Sequence, residues 1–267
     1  YSAIGITDEC SLAGIVRAHQ AAKECNIQLL VGAQFVFARS SIFAGQRIAL
    51  IVKNKTGYTH LCRLITQARS RAAKGDYLFT RDDLADIPPG LQLLLLPDER
   101  NKENFPALLS WCAKRFTGRM HVVCNLQHRG FDKAWLLYLQ ALAHLHGVEL
   151  MASNLPAMHS SERKNLHDVL TAIRLNCKLN DAKPFLEKNA QRCLQPLPVL
   201  AQTYPHRLLE ETSTLAAQCV FSLDELRYQY PREISPEGLE PRQYLRQLVE
   251  EGAALRYSSK VPAKVRK

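Results

Sequence analysis

Thr7-Asp8-Glu9 closes a short apolar run, Ile4-Gly5-Ile6, and leads straight into a helical pattern. Polar residues at the C-terminal tip of a buried strand are where α/β proteins keep their chemistry. Two adjacent carboxylates there could ligate a divalent cation or move a proton. The plainer reading is that Asp8 caps the following helix. Other residues make weaker sites. His144-Leu145-His146 imitates an HxH metal pair, but at a predicted helix end positions i and i+2 point apart. His60 and His167 fall on helical stretches and read as surface or packed histidines. Tyr228 and Tyr230, near Arg227 and Arg232, could approach DNA or pack between domains. Neither a P-loop nor a dinucleotide-binding glycine fingerprint occurs. The eight cysteines form no CxxC pair, which argues against a zinc ribbon. With no secretion signal evident, they read as reduced thiols, most of them in the core.

Whatever sits at such tips must be carried by strands. Short apolar runs at residues 2–6, 27–37, 47–52, 91–96, 120–126 and 148–152 read as six strands. Helical spacing fills residues 11–24, 58–71, 104–116, 131–146 and 160–175 between and after them. Thr80-Arg-Asp-Asp83 looks like a capping box, Pro88-Pro89-Gly90 breaks the chain, and Gly118 and Gly147 stop helices. Strands separated by helices of this length predict parallel β/α units buried on both faces. Residues 27–37 and 47–52 could instead pair directly through the turn-like stretch at 40–46. A (β/α) barrel and a doubly wound sheet both fit. After residue 176 the pattern becomes polar and proline-punctuated, with a helix at 205–219 and another from Pro241 onward. The boundary falls near residue 220, giving 1–220 and 221–267.

The 267 residues, 46% of them apolar, suffice for a sizeable core. No run approaches the ~20 apolar residues of a membrane span. The chain opens on a strand-like segment and ends on VPAKVRK, so it reads as a fragment cut at both ends. Lys and Arg outnumber Asp and Glu by 35 to 25, a net +10 that suits a polyanionic partner or simply a solvated basic surface. Arg63, Arg69, Arg71 and Lys74 cluster, as do Lys260, Lys264, Arg266 and Lys267; neither group interleaves with aromatics as a base-stacking platform would.

TDECSLAGIVRAH, GYTHLCRLIT, HDVLTAIRL and FSLDELRYQYP, in this order, resemble the error-prone relatives of the bacterial DNA polymerase III alpha subunit. The resemblance runs along the whole chain. It implies that residues 1–220 are most of a PHP (polymerase and histidinol phosphatase) domain, a distorted (β/α)7 barrel here lacking its first strand. Residues 221–267 would begin the polymerase palm.

Active PHP barrels gather His, Asp and Glu at the strand tips around metal ions. Matched to that pattern, Asp8 keeps a ligand type, and Glu9 stands where the family has His. Gln34, in Gly32-Ala33-Gln34, replaces a Glu; it is a poor ligand better suited to hydrogen bonding at a strand end. Arg47 takes a His place, and a guanidinium has no lone pair to offer a metal. Asn125 takes a Glu place, while Leu155 and Ala157 take Asp and His places in Ser153-Asn-Leu-Pro-Ala-Met-His159. His159 keeps its identity, but in the family it is not the ligand. The resemblance therefore implies a degenerate site with no catalytic residue and no metal, in which Arg47 pairs with Asp8 or Glu9.

The implied function is that of the N-terminal PHP segment of an error-prone, DNA-directed DNA polymerase in damage tolerance, bracing the palm. The parent reaction would use Mg2+ on palm carboxylates outside this chain. The implied partners are DNA, a sliding clamp and other mutagenesis proteins; the expected location is the cytoplasm, with no membrane association. Two other readings are a metal-dependent PHP phosphoesterase or 3′–5′ exonuclease, and a stand-alone basic interaction module.

Overall fold

A computed structural model describes residues 1–85, 87–227, 235–236, 238–257 and 261–265. They divide into two compact units, Tyr1–Leu226 and Arg227–Lys267. The expected aromatic and basic positions Tyr228, Tyr230, Arg232, Lys260, Arg266 and Lys267 lie outside the described residues.

In the first unit six strands form one sheet in sequence order: β1 (Ala3–Glu9), β2 (Gln28–Val36), β3 (Arg47–Val52), β4 (Leu91–Leu96), β5 (Met120–Cys124) and β6 (Glu149–Ala152). These are the six apolar runs. Parallel pairing holds for β1–β2, β4–β5 and β5–β6, while β3 runs antiparallel to both neighbours, so β2 and β3 pair directly through the turn at 40–46 as the alternative reading had it. The link from β2 to β3 holds no helix, so the chain turns back directly instead of crossing over. The reversal brings the first residue of β3 to the end of the sheet where its neighbours finish.

The helices are α1 (Ile15–Glu24), α2 (Lys55–Ser70), α3 (Phe105–Ala113), α4 (Asp132–His146), α5 (Lys164–Arg174), the short α6 (Leu179–Ala182) and α7 (Leu197–Thr203), and α8 (His206–Gln218). Alternation along the strands divides the core in two. Leu29, Val31, Phe35, Ile48, Leu50, Leu93, Leu95 and Val122 join the large core with residues of α1 to α4. Phe35 stacks on Phe79 with ring centroids 4.7 Å apart. Burying each such ring stabilises the fold by roughly 1.5–3 kcal/mol. The alternate residues Leu30, Ala49, Ile51, Leu94, Leu96, Val123 and Met151 pack with Leu215 and Ala216 of α8 and with Cys219 just after it.

α8 is pinned across that second face by polar contacts. Thr212 Oγ1 donates to Ala152 O at 2.8 Å, and His121 Nε2 lies 2.9 Å from Glu211 Oε1. Gln92 Nε2 donates to Gln218 Oε1 at 2.9 Å, and Gln28 Nε2 to Cys219 O at 2.8 Å. Both faces of the sheet are thus covered, which explains why its strands are continuous apolar runs.

Local signals are obeyed. Asn54 Oδ1 caps α2 by accepting from Gly57 N at 3.1 Å. Gly57 lies against Gly90: a Cβ on Gly57 would stand 1.9 Å from Gly90 O. Asp83 Oδ2 accepts from Thr80 N at 2.8 Å, the expected box, although the helix it opens is a 3-10 turn, Arg81–Leu84. α4 ends at Gly147 with φ of 63°, a left-handed cap that glycine adopts without steric cost. In the second unit, α9 (Pro241–Tyr257) begins on the proline. All eight cysteines are free, and five are buried. Among the described residues no helix is long and apolar enough to cross a membrane.

Candidate functional site at the strand tips

The register places the expected site residues at one end of the sheet. Glu9 pairs with Gln34, Val36 with Arg47, Arg47 with Leu96, and Cys124 with Ala152. Asn125 follows β5 directly, and Leu155 and Ala157 follow β6.

Of these residues, Arg47 and Asn125 line a common cavity. Asp8 is exposed and does not cap α1: the N-cap is Gly14, with no side-chain hydrogen bond. Asp8 instead lies beside Gly14, its Oδ2 3.3 Å from where a Cβ would stand, so the capping expectation is corrected. Glu9 Oε1 accepts from Tyr77 Oη at 2.8 Å, and Tyr77 Oη accepts from Val36 N at 2.9 Å. Burial, and then the bond to Glu9, push the Tyr77 phenol well above its ordinary value. Gln34 makes no side-chain hydrogen bond among the described residues; its carbonyl accepts from Cys10 N at 2.9 Å. The expected role for its amide is corrected accordingly.

Arg47 does not pair with Asp8 or Glu9. Its Nη2 lies 3.5 Å from Asp98 Oδ2, because β3 and β4 are neighbours and Asp98 follows β4. Burial lowers the Arg47 pKa, and Asp98 opposes that shift. Leu155, at a φ of 42°, offers its carbonyl to Arg192 Nε at 2.9 Å, and Ala157 N donates to Arg192 O at 2.9 Å. These two positions serve to fasten the loop after β6 to the strand-like segment around Arg192. Asn154 Nδ2 reinforces the seam, donating to Cys193 O at 2.6 Å.

Between the tips of β3, β4 and β5 lies a cavity of about 80 Å3. Arg47, Asp98, Arg100, Asn125, Gln127, Arg129, Asp132, Glu187 and Arg192 supply its polar wall. Glu187 is the hub: Oε1 accepts from Arg192 Nη1 at 2.7 Å and Oε2 from Arg129 Nη2 at 3.2 Å. Burial alone would raise the Glu187 carboxyl, but Arg192, Arg129 and Arg100 outweigh it and hold the pKa below its ordinary value. Asp132 accepts from the backbone N–H of His128 at 2.6 Å, and Arg129 Nη2 also donates to Gln127 Oε1. Buried ion pairs of this kind persist where each charge is matched by hydrogen bonds.

This wall does not fit a group of metal ions. The family positions present guanidinium and hydrocarbon, which have no lone pair to give, and neutral amides, which are poor ligands for a divalent ion. Among the described residues no three His, Cys, Asp or Glu are grouped to hold a metal. Asp98, Arg100, Arg129, Glu187 and Arg192 were not legible as site residues. Four of them lie in irregular segments after β4, after β5 and far along the chain; the signal was charged residues just beyond strand ends. The Arg69–Lys74 cluster also changes meaning: Arg69 Nε donates to Cys10 O at 2.9 Å, and Arg71 pairs with Asp83 at 2.6 Å.

A family model described as PHP domain matches residues 1–152. An error-prone DNA polymerase of Pseudomonas aeruginosa is 40% identical over 267 residues, 100% of this chain and 25% of that protein. One from Hahella chejuensis is 39% identical over 274 residues, 99% of this chain and 26% of that protein. One from Methylococcus capsulatus is 39% identical over 268 residues, 100% of this chain and 25% of that protein. The chain thus spans about a quarter of the length of the curated relatives it matches. A solved structure from Bifidobacterium adolescentis, described as a candidate metal-dependent phosphoesterase, covers 57% of this chain and 76% of its own at 12% identity, with a TM-score of 0.37, too low to bear on the fold. With a PHP domain model matching residues 1–152, more than half of its length, the chain belongs to the PHP domain family.

Proposed function

We propose that this chain is the PHP segment of an error-prone, DNA-directed DNA polymerase of the alpha-subunit type, serving as architecture and not as a hydrolase. The observation that carries this reading is Arg47 on β3, paired with Asp98 at a tip where metal-binding relatives place a His. An always-protonated group there opposes a cation by charge and supplies no ligand. Gln34, Asn125, Leu155 and Ala157 support the same conclusion, and Asp8 and Glu9 alone do not make a phosphoesterase centre. Identity of about 40% along the whole chain to error-prone DNA polymerases supports the parent activity.

In this reading nucleotidyl transfer is performed by palm carboxylates with Mg2+ outside this chain. Residues 221–267 open the palm region. DNA, a sliding clamp and other mutagenesis proteins are the partners, the cytoplasm is the location, and damage tolerance is the biological setting. The net charge of +10 suits a role beside template DNA.

The rival reading is a metal-dependent phosphoesterase or 3′–5′ exonuclease. The purified chain, given Mn2+ and a 3′-labelled single strand, is expected to release no nucleotide above a metal-free control. Metal-dependent release that survives purification and tracks the protein would replace the structural reading with the hydrolytic one.

A further inference from the structure

α5 is amphipathic with its apolar side turned outward. Its inward side is small and polar: Thr171 and Ala172 are buried, and Lys164 Nζ closes on Asp168 Oδ2 at 2.6 Å. Leu166, Val169, Leu170 and Ile173 are 48%, 44%, 55% and 68% exposed. Their spacing of i, i+3, i+4 and i+7 places them on one helical face. Leu175 at the C-cap, and Leu179 on α6, which packs against α5, are exposed too and extend the patch. Single exposed leucines are ordinary, but a contiguous aliphatic stripe with a charged border marks a contact surface. None of these residues lines the strand-tip cavity.

The border indicates what kind of partner fits. Arg163 and Arg174 are exposed and make no ion pair among the described residues. They stand about three turns apart, so helical spacing puts both on the same flank of the stripe. Asp168, the acid within α5, is engaged by Lys164. Lys178, Lys183 and Lys188 are likewise exposed and unpaired, as are Glu162 and Asp181. The unpaired charge of residues 160–188 is therefore five positive groups against two negative. An antiparallel pair of α5 helices about a two-fold axis sets the arginine flank against itself, so the border opposes a second copy. The stripe also lacks the aromatic side chains, and the polar side the lysine-rich character, of a helix lying in a membrane interface.

We propose that the outer face of α5 docks an amphipathic helix of another protein, with apolar residues at matching spacing and carboxylates along one flank. The stripe supplies the dry centre of such a contact, and Arg163 and Arg174 supply a charged rim that selects the partner and steers its approach. This goes beyond the polymerase reading and does not depend on it.

The test uses the full 267-residue chain and two synthetic helical peptides that share one leucine stripe, the first flanked by glutamates and the second by lysines. Fluorescence anisotropy is expected to show saturable binding of the glutamate peptide, about tenfold or more tighter than the lysine peptide, with the gap narrowing as salt is raised. Ile173→Gln is expected to weaken binding about tenfold or more. Arg163→Glu with Arg174→Glu is expected to reverse the preference between the peptides. Arg63→Glu with Lys74→Glu changes the net charge equally and is expected to preserve it, which separates a local border from the overall charge of +10. Each substituted position is exposed, so the fold is kept. No saturable binding below about 1 mM, or the same loss of preference in both charge-reversed chains, overturns the proposal. It is equally overturned by a dimer in sedimentation that Ile173→Gln dissolves, which assigns the face to a second copy. Binding to phosphatidylglycerol vesicles that Ile173→Gln abolishes overturns it too, and assigns the face to a membrane.

Discussion

At the scale of single residues, Glu187 holds the strand tips together. It accepts from two arginines that come from different loops, so its loss leaves both guanidiniums half-buried with one partner fewer. Glu187→Gln is expected to destabilise the first unit by about 1–3 kcal/mol near neutral pH, measured by urea denaturation. The pH dependence follows from the direction of its shift. The folded carboxyl is held below its ordinary value of 4.5, so its pairing stabilises the protein fully above that value. The contribution fades as the pH falls through the lower, folded value. The gap between the wild-type chain and Glu187→Gln is therefore expected to close on acidification and not on alkalinisation; a gap independent of pH would show that the carboxylate charge is not what matters. None of this was legible in the sequence. Glu187 and Arg192 sit in a polar, proline-punctuated stretch with no periodicity, and only the folded chain brings them to Arg129.

At the scale of elements, the close approach of Gly57 and Gly90 sets how α2 enters the fold. With 1.9 Å between a new Cβ and the Gly90 carbonyl oxygen, backbone and not a flexible side chain would have to move. Gly57→Ala is expected to cost about 3 kcal/mol or more by chemical denaturation, although alanine favours helix in isolation. A neutral or stabilising result would mean that α2 enters less tightly than described. Most elements were legible because both faces of the sheet are covered: Leu91–Leu96 has no polar face to confuse its reading. The same property hid direction. An apolar run buried on both sides reads identically parallel or antiparallel, so the reversal at β3 was signalled only by its short, helix-free link from β2. α7, with the sequence LPVLAQT, lacks a polar stripe and was passed over for that reason.

At the scale of the whole molecule, we propose a PHP fold whose strand tips carry ion pairs where metal-binding relatives place ligands. The motif positions Gln34, Arg47, Asn125, Leu155 and Ala157 were legible because Arg, Leu and Ala side chains have no lone pair for a cation and the neutral amides of Gln and Asn are poor ligands, wherever they point. What replaced the ligands was not legible, because the compensating groups come from neighbouring loops and were not those the motif names. Arg47 makes its ion pair with Asp98, while Glu9 accepts a hydrogen bond from Tyr77. This leaves one measurement above the others: titration of Mn2+ and of Zn2+ into the metal-stripped chain by calorimetry, with metal content of the untreated protein counted in parallel. The account predicts substoichiometric metal as purified and no tight uptake on titration, whereas two or more ions bound tightly per chain would contradict it.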